Sequence, residues 1–215
     1  MASFPVKSGQ TFLLIGDSIT DCGRRAANAP YGDGYVSLFR EMTIARFPER
    51  DIRWINRGIG GNKVTDLRNR WEDDCIREQP DWLSIKIGIN DLHSHLFKRD
   101  GAVDPALFRQ KYKEILDRAR AATKARIVLI EPFYLSTDRE GDSDRTRVLK
   151  LLPEYIQVVK DMVKAYKTLH VPTQEIFEAQ MKHRSPNDFA PEPVHPYRIG
   201  HVIIANALFD VVAGS

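Results

Sequence analysis

The 215-residue chain reads as an α/β protein, a three-layer α/β/α sandwich on a five-stranded parallel sheet. Three observations predict it. Short apolar-rich runs recur at residues 12–15, 52–56, 82–87 and 127–130, short enough for strands and apolar enough to be covered. Between them lie stretches of ten or more residues with apolar positions at helical spacing. The first three runs each end in a glycine-bearing turn. Crossovers of this length are right-handed and return each strand parallel to the last, so the expected strand order is flavodoxin-like, in one domain spanning residues 1–215.

The elements follow in order. Phe12-Leu13-Leu14-Ile15 is a strand buried on both faces, stopped by Gly16 and followed by a polar loop from Ser18 to Gly34. Tyr35, Leu38, Phe39 and Met42 mark the first helix. Residues 52–56 form the second strand, and 63–79 a helix closed before Pro80. Residues 82–87 are the third strand, ended by Gly88, with an irregular segment at 93–101. A helix over 105–123 presents Phe108, Tyr112, Ile115, Leu116 and Ala119 on one face. Residues 127–130 are the fourth strand, and the charged stretch 137–147 is an exposed loop. The next helix carries Leu152, Tyr155, Ile156, Val159, Met162, Val163 and Tyr166, with Pro153 in its first turn, where a missing N–H costs nothing. A short fifth strand at 170–173 and helices over 174–183 and 199–212 complete the chain.

Composition narrows the function classes. Basic and acidic residues number 32 and 29, a net charge of +3, and the short basic runs read as solvated faces, so no nucleic-acid partner is expected. No apolar run reaches the roughly 20 residues of a membrane span, and residues 1–10 lack a signal-peptide core. Two cysteines, Cys22 and Cys75, are too few for a disulfide framework, and a reducing, cytoplasmic setting is the expectation.

In a parallel sheet the turns after successive strands share one edge, where ligands bind. Gly16-Asp17-Ser18, Gly60-Gly61-Asn62 and Gly88-Ile89-Asn90-Asp91 should therefore converge. A serine there can act as nucleophile, glycines admit backbone N–H groups to a ligand, and the Asn90 amide can meet a developing oxyanion. The base expected is His195, just before the last helix, with Glu192 three residues upstream to hold its Nδ1 proton. Asp17 and Asp91 are expected to bond loop N–H groups, Cys22 to pack as a thiol, and His201 to pack or cap on the last helix. His93 and His95 raise a metal site and the lining of a substrate pocket as readings, neither of them the expected one; no further ligand at metal-site spacing accompanies them. No metal or cofactor is expected.

These blocks, in this order and spanning nearly the whole chain, resemble the SGNH hydrolases, also called GDSL esterases and lipases. The resemblance implies Ser18 as nucleophile, an oxyanion hole of Ser18 N–H, Gly61 N–H and the Asn90 side chain, and His195 as base. Residues 15–22, 62–71 and 80–91 look most like the intracellular acetylxylan esterases of that family, which implies a small-molecule or oligosaccharide ester as substrate. The family usually places Asp three residues before the histidine; this chain has Glu192, with Asp188 the nearest other carboxylate. The expectation is an acetyl-ester hydrolase. A broader short-acyl esterase, thioesterase or lysophospholipase stands as the alternative, then a non-catalytic binding protein of the same fold. A nucleotide-binding role lacks its phosphate loop. Oligomeric state is left open, a homo-oligomer included.

Overall fold

The structure is a computed structural model, and it describes residues 4–214. Five strands, β1 (Thr11–Gly16), β2 (Arg53–Gly58), β3 (Trp82–Lys86), β4 (Arg126–Ile130) and β5 (Leu169–Val171), form one sheet in the order β2-β1-β3-β4-β5, every pair parallel. This is the expected flavodoxin-like order. The order reverses between β1 and β3, the place where open α/β sheets open a crevice at their carboxyl ends.

Helices cover both faces. α2 (Tyr35–Arg46) packs on α8 (Arg198–Ala213). On the other side α3 (Val64–Trp71) packs on α5 (Pro105–Ala122), and α5 on α6 (Asp144–Tyr166). Register explains part of the core. Phe12 pairs with Trp54 on one side and Trp82 on the other, and the three rings stack at 5.5 and 5.7 Å. Phe39 of α2 meets Phe12 edge-on at 5.1 Å. This aromatic layer lies at the start of the strands and leaves their carboxyl ends for polar groups.

Several boundaries depart from the expectation. A single helical turn, α1 (Ser18–Asp21), opens what reads as loop, because the Asp17 side chain accepts Ile19 N–H and caps it. The helix expected at 63–79 is α3 followed by a π-helical turn, Glu72–Ile76. The irregular segment at 93–101 begins inside α4 (Ile89–Leu96). Pro153 does not start its helix. α6 begins at Asp144, where Ser143 Oγ accepts Thr146 N–H, and the proline lies in its interior. Thr146, Val148 and Leu149 extend the buried stripe upstream of Leu152, and that burial outweighs the lost proline hydrogen bond. Helix α7 (Thr173–Met181) follows β5 almost directly.

Candidate active site

The site is assembled at the carboxyl edge of β1, β2 and β3. Ser18 is the first residue of α1, one residue after Asp17, whose fully buried side chain holds the turn. Ser18 Oγ lies 2.8 Å from His195 Nε2. On the other side of the imidazole, Nδ1 lies 2.5 Å from Glu192 Oε1. Glu192 also accepts the backbone N–H groups of Val194 (2.9 Å) and His195 (2.7 Å), so its loop is folded around its own carboxylate. Partial burial works to raise its pKa. Those two backbone donors and the imidazole outweigh it and hold the carboxyl below its usual range. An ionised Glu192 accepts the Nδ1 proton, which leaves Nε2 as the acceptor facing Ser18. Asp188 is turned elsewhere: its carboxylate accepts Ser185 N–H and closes the 3₁₀ turn Pro186–Asp188.

The second turn is held beside the serine from three directions. Gly60 N–H donates to Asp21 of α1 at 3.1 Å, and a Cβ on Gly60 would lie 3.9 Å from that of Ser18. Gly61 has φ +78°, a conformation that a side chain would strain. Asn90, in the first turn of α4, donates one amide N–H to Asn62 O at 3.1 Å and keeps the other free to donate. Arg70 of α3 binds Gly16 O, Arg57 O and Asn62 Oδ1 together, tying the ends of β1 and β2 to the turn. Asp91 Oδ1 accepts Val64 N–H at 2.8 Å and fastens α4 to α3. Burial lifts the Asp91 carboxyl to about 8 against that hydrogen bond.

Beneath the serine lies a pair that sequence patterning gives no role. Lys86, register partner of Gly16, places Nζ 3.7 Å from Asp17 Oδ2, with both side chains fully buried. Burial lowers the Lys86 pKa while Asp17 works to raise it. The one sequence signal is a lysine in a strand covered on both faces, where alternation cannot turn it to solvent. Arg70 and Asp21 give no such signal, since the first reads as an ordinary helix-surface charge and the second as an ordinary loop carboxylate.

The remaining candidates fall beside this centre. His201 Nδ1 accepts the N–H of Tyr35, the first residue of α2, and its Nε2 lies 3.4 Å from Cys22 Sγ. It packs and caps, and burial lowers its pKa to about 4. Burial, with help from Asp33, pushes the Cys22 thiol up to about 12, which keeps it protonated. His93 packs edge-on to Tyr134, with ring centroids 6.0 Å apart. No group of three or more potential metal ligands occurs among the described residues.

The sequence matches the GDSL-like lipase/acylhydrolase family over residues 14–203. The chain belongs to this family. Its GDSL relatives include an acetylxylan esterase of Geobacillus stearothermophilus, 36% identical over 94% of this chain and 93% of that protein. A crystal structure of the Geobacillus enzyme superposes with a TM-score of 0.86 at 35% identity, covering 96% of this chain and 95% of the other. An alpha/beta hydrolase from the metagenome of Lake Arreo, Spain, gives 0.87 at 30% identity and 98% coverage of both chains. Single serine, aspartate and histidine to alanine variants of the Geobacillus enzyme are described as catalytic mutants, the last two positions lying three apart. As a GDSL-family member, this chain is a serine carboxylic-ester hydrolase.

Proposed function

We propose that the chain removes acetyl groups from acetylated carbohydrates through an acyl intermediate on Ser18. One observation carries the assignment of residues: the continuous relay Ser18 Oγ–His195–Glu192, at 2.8 and 2.5 Å. The choice of acyl group and alcohol is supported by the likeness to the Geobacillus acetylxylan esterase along almost the full length of both chains.

In this reading His195 Nε2 takes the Ser18 proton as Oγ attacks the ester carbonyl. The carbonyl electron pair moves onto oxygen, which the N–H groups of Ser18 and Gly61 and the second Asn90 N–H receive. The tetrahedral intermediate collapses, the bond to the alcohol breaks, and the imidazolium returns its proton to the leaving oxygen. Water, deprotonated by His195, then attacks acyl-Ser18; acetate leaves and the hydroxyl is restored. Glu192 fixes the tautomer and balances the imidazolium charge at both steps.

The proposal extends to a cytoplasmic enzyme that meets acetylated xylan as short oligosaccharides. Both cysteines are free, and no helix among the described residues is long and apolar enough to cross a membrane. The test is a panel of p-nitrophenyl esters of rising acyl length beside acetylated xylo-oligosaccharides, with a serine-directed phosphonate and peptide mapping. Acetyl esters should be preferred, acetylated sugars should release acetate, and the phosphonate should map to Ser18. Faster turnover of octanoyl esters with acetylated sugars untouched, or label on Cys22, refutes the reading.

A further inference from the structure

We propose that the cavity on the His195 side of Ser18 is the leaving-alcohol subsite, where Asp33 and Arg198 select a polyhydroxylated, sugar-like alcohol. This inference rests on the esterase reading above and adds the residues that choose the alcohol.

The cavity has a volume of about 310 Å³, at the lower end of the ~300–1,000 Å³ usual for small-molecule sites. Ser18 and His195 form one wall, with Cys22, Asp33, Arg198 and His201 among the rest. Gly61 and Asn90 do not line it, so it lies on the other side of Ser18 from those two oxyanion donors. The chemistry then fixes what occupies it. His195 must hand its proton to the departing oxygen, so the alcohol leaves on the histidine side while the carbonyl oxygen faces Gly61 and Asn90.

Both charged groups of that wall are solvent-exposed, on backbone that is held in place. Asp33 stands in a loop that crosses directly over α1: its N–H donates to Cys22 O at 3.1 Å. At the next residue, Gly34, a Cβ would lie 2.4 Å from Cys22 Sγ, so the backbone approaches as closely as glycine allows. Arg198 is the first residue of α8, three after His195. Neither the Asp33 carboxylate nor the Arg198 guanidinium has an ion-pair or hydrogen-bond partner among the described residues. Between them the wall is neutral at neutral pH, since Cys22 stays a thiol and His201 an uncharged imidazole. A carboxylate offers acceptors and a guanidinium offers donors, the complement of a neutral ligand rich in hydroxyls and ring oxygens. An alkyl or aryl alcohol offers neither group a hydrogen bond, so it forgoes the contacts that a hydroxyl-rich alcohol makes there.

Two acetate esters separate this from every other effect. Acetylated xylo-oligosaccharide and p-nitrophenyl acetate give the same acetyl-Ser18, so the ratio of their kcat/KM values reports only the alcohol side. Asp33→Ala and Arg198→Ala should each lower the sugar-to-nitrophenyl ratio by about tenfold or more. Asp33→Asn, which keeps an acceptor oxygen, should fall between Ala and wild type. Ratios within about twofold of wild type in both alanine variants overturn the subsite while the esterase reading stands. A wild type that cleaves p-nitrophenyl acetate but no acetylated sugar overturns both.

Discussion

A serine hydroxyl is a weak nucleophile by itself, and what distinguishes Ser18 is the pair of groups aligned behind it. The same logic fixes what each neighbour should do when removed. Asn90 keeps one amide N–H free, and in the proposed mechanism it meets the developing negative charge, so Asn90→Ala should lower kcat by roughly 10²–10³ with little change in KM. A change confined to KM would make Asn90 a substrate-binding group instead. Glu192 is the residue where this chain leaves its family's usual aspartate. Its carboxylate reaches Nδ1 at 2.5 Å because two backbone N–H groups of its own loop draw it back onto the imidazole. Glu192→Gln should therefore cut kcat by about 10²–10⁴, the upper end being the loss of a triad carboxylate. Asp188→Asn should leave kcat within about twofold, because Asp188 serves the Ser185 turn. A normal Glu192→Gln enzyme beside a dead Asp188→Asn one would reassign the orienting group. The approach of Glu192 to His195 was legible because the two lie three residues apart, and that of Ser18, 177 positions from the histidine, because its turn ends a strand at the shared edge of the sheet. Arg70 and Asp21 were not, since a helix or loop charge looks the same whether or not its tip reaches a neighbouring turn.

At the scale of elements, the Ser18 turn and the Asn90 turn follow adjacent strands, and one buried ion pair spans them. Lys86, the last residue of β3, precedes Gly88 and Asn90, while Asp17 precedes Ser18 after β1. Two charges out of water stabilise little beyond their own desolvation, but breaking such a pair is expensive. Lys86→Met should destabilise the fold by roughly 3–5 kcal/mol, read by urea denaturation, because Asp17 is left as an unpaired buried carboxylate. Asp17→Asn keeps the cap on Ile19 N–H, so the double variant Asp17→Asn with Lys86→Met should recover most of that loss. Equal losses in the single and double variants would show that the charges do not act on each other. Helix boundaries were less legible than strand cores. Pro153 suggested a helix start, yet Ser143 and four buried residues upstream carry α6 through it. Local propensity is outvoted wherever a longer apolar stripe continues.

At the scale of the whole molecule, parallel strand order and the convergence of three loops follow from alternation alone, which is why the architecture was legible without any contact being known. The contacts that lock the two helical layers to the site were not, because they join residues far apart in the chain. His201 is one of them. It bridges α8, the first residue of α2 and the Cys22 loop, and it can accept Tyr35 N–H only while Nδ1 is unprotonated. Burial, together with Lys86, His195 and Arg198, outweighs the pull of Asp33 and holds its pKa near 4, against about 6.5 unfolded. The sign follows directly. Above pH 6.5 the imidazole is neutral in both states and adds no pH dependence. Between 6.5 and 4 the unfolded chain takes up a proton that the native state refuses, so stability falls as pH falls, by roughly 3 kcal/mol at most, and levels off below 4. His201→Asn, whose side-chain oxygen can still accept from Tyr35, removes this titration. Urea midpoints measured from pH 7 to pH 4 should show the wild type losing its advantage over the variant as the pH drops. Parallel curves would mean that His201 titrates alike in the folded and unfolded chain, and that the link between α8 and α2 does not depend on its charge.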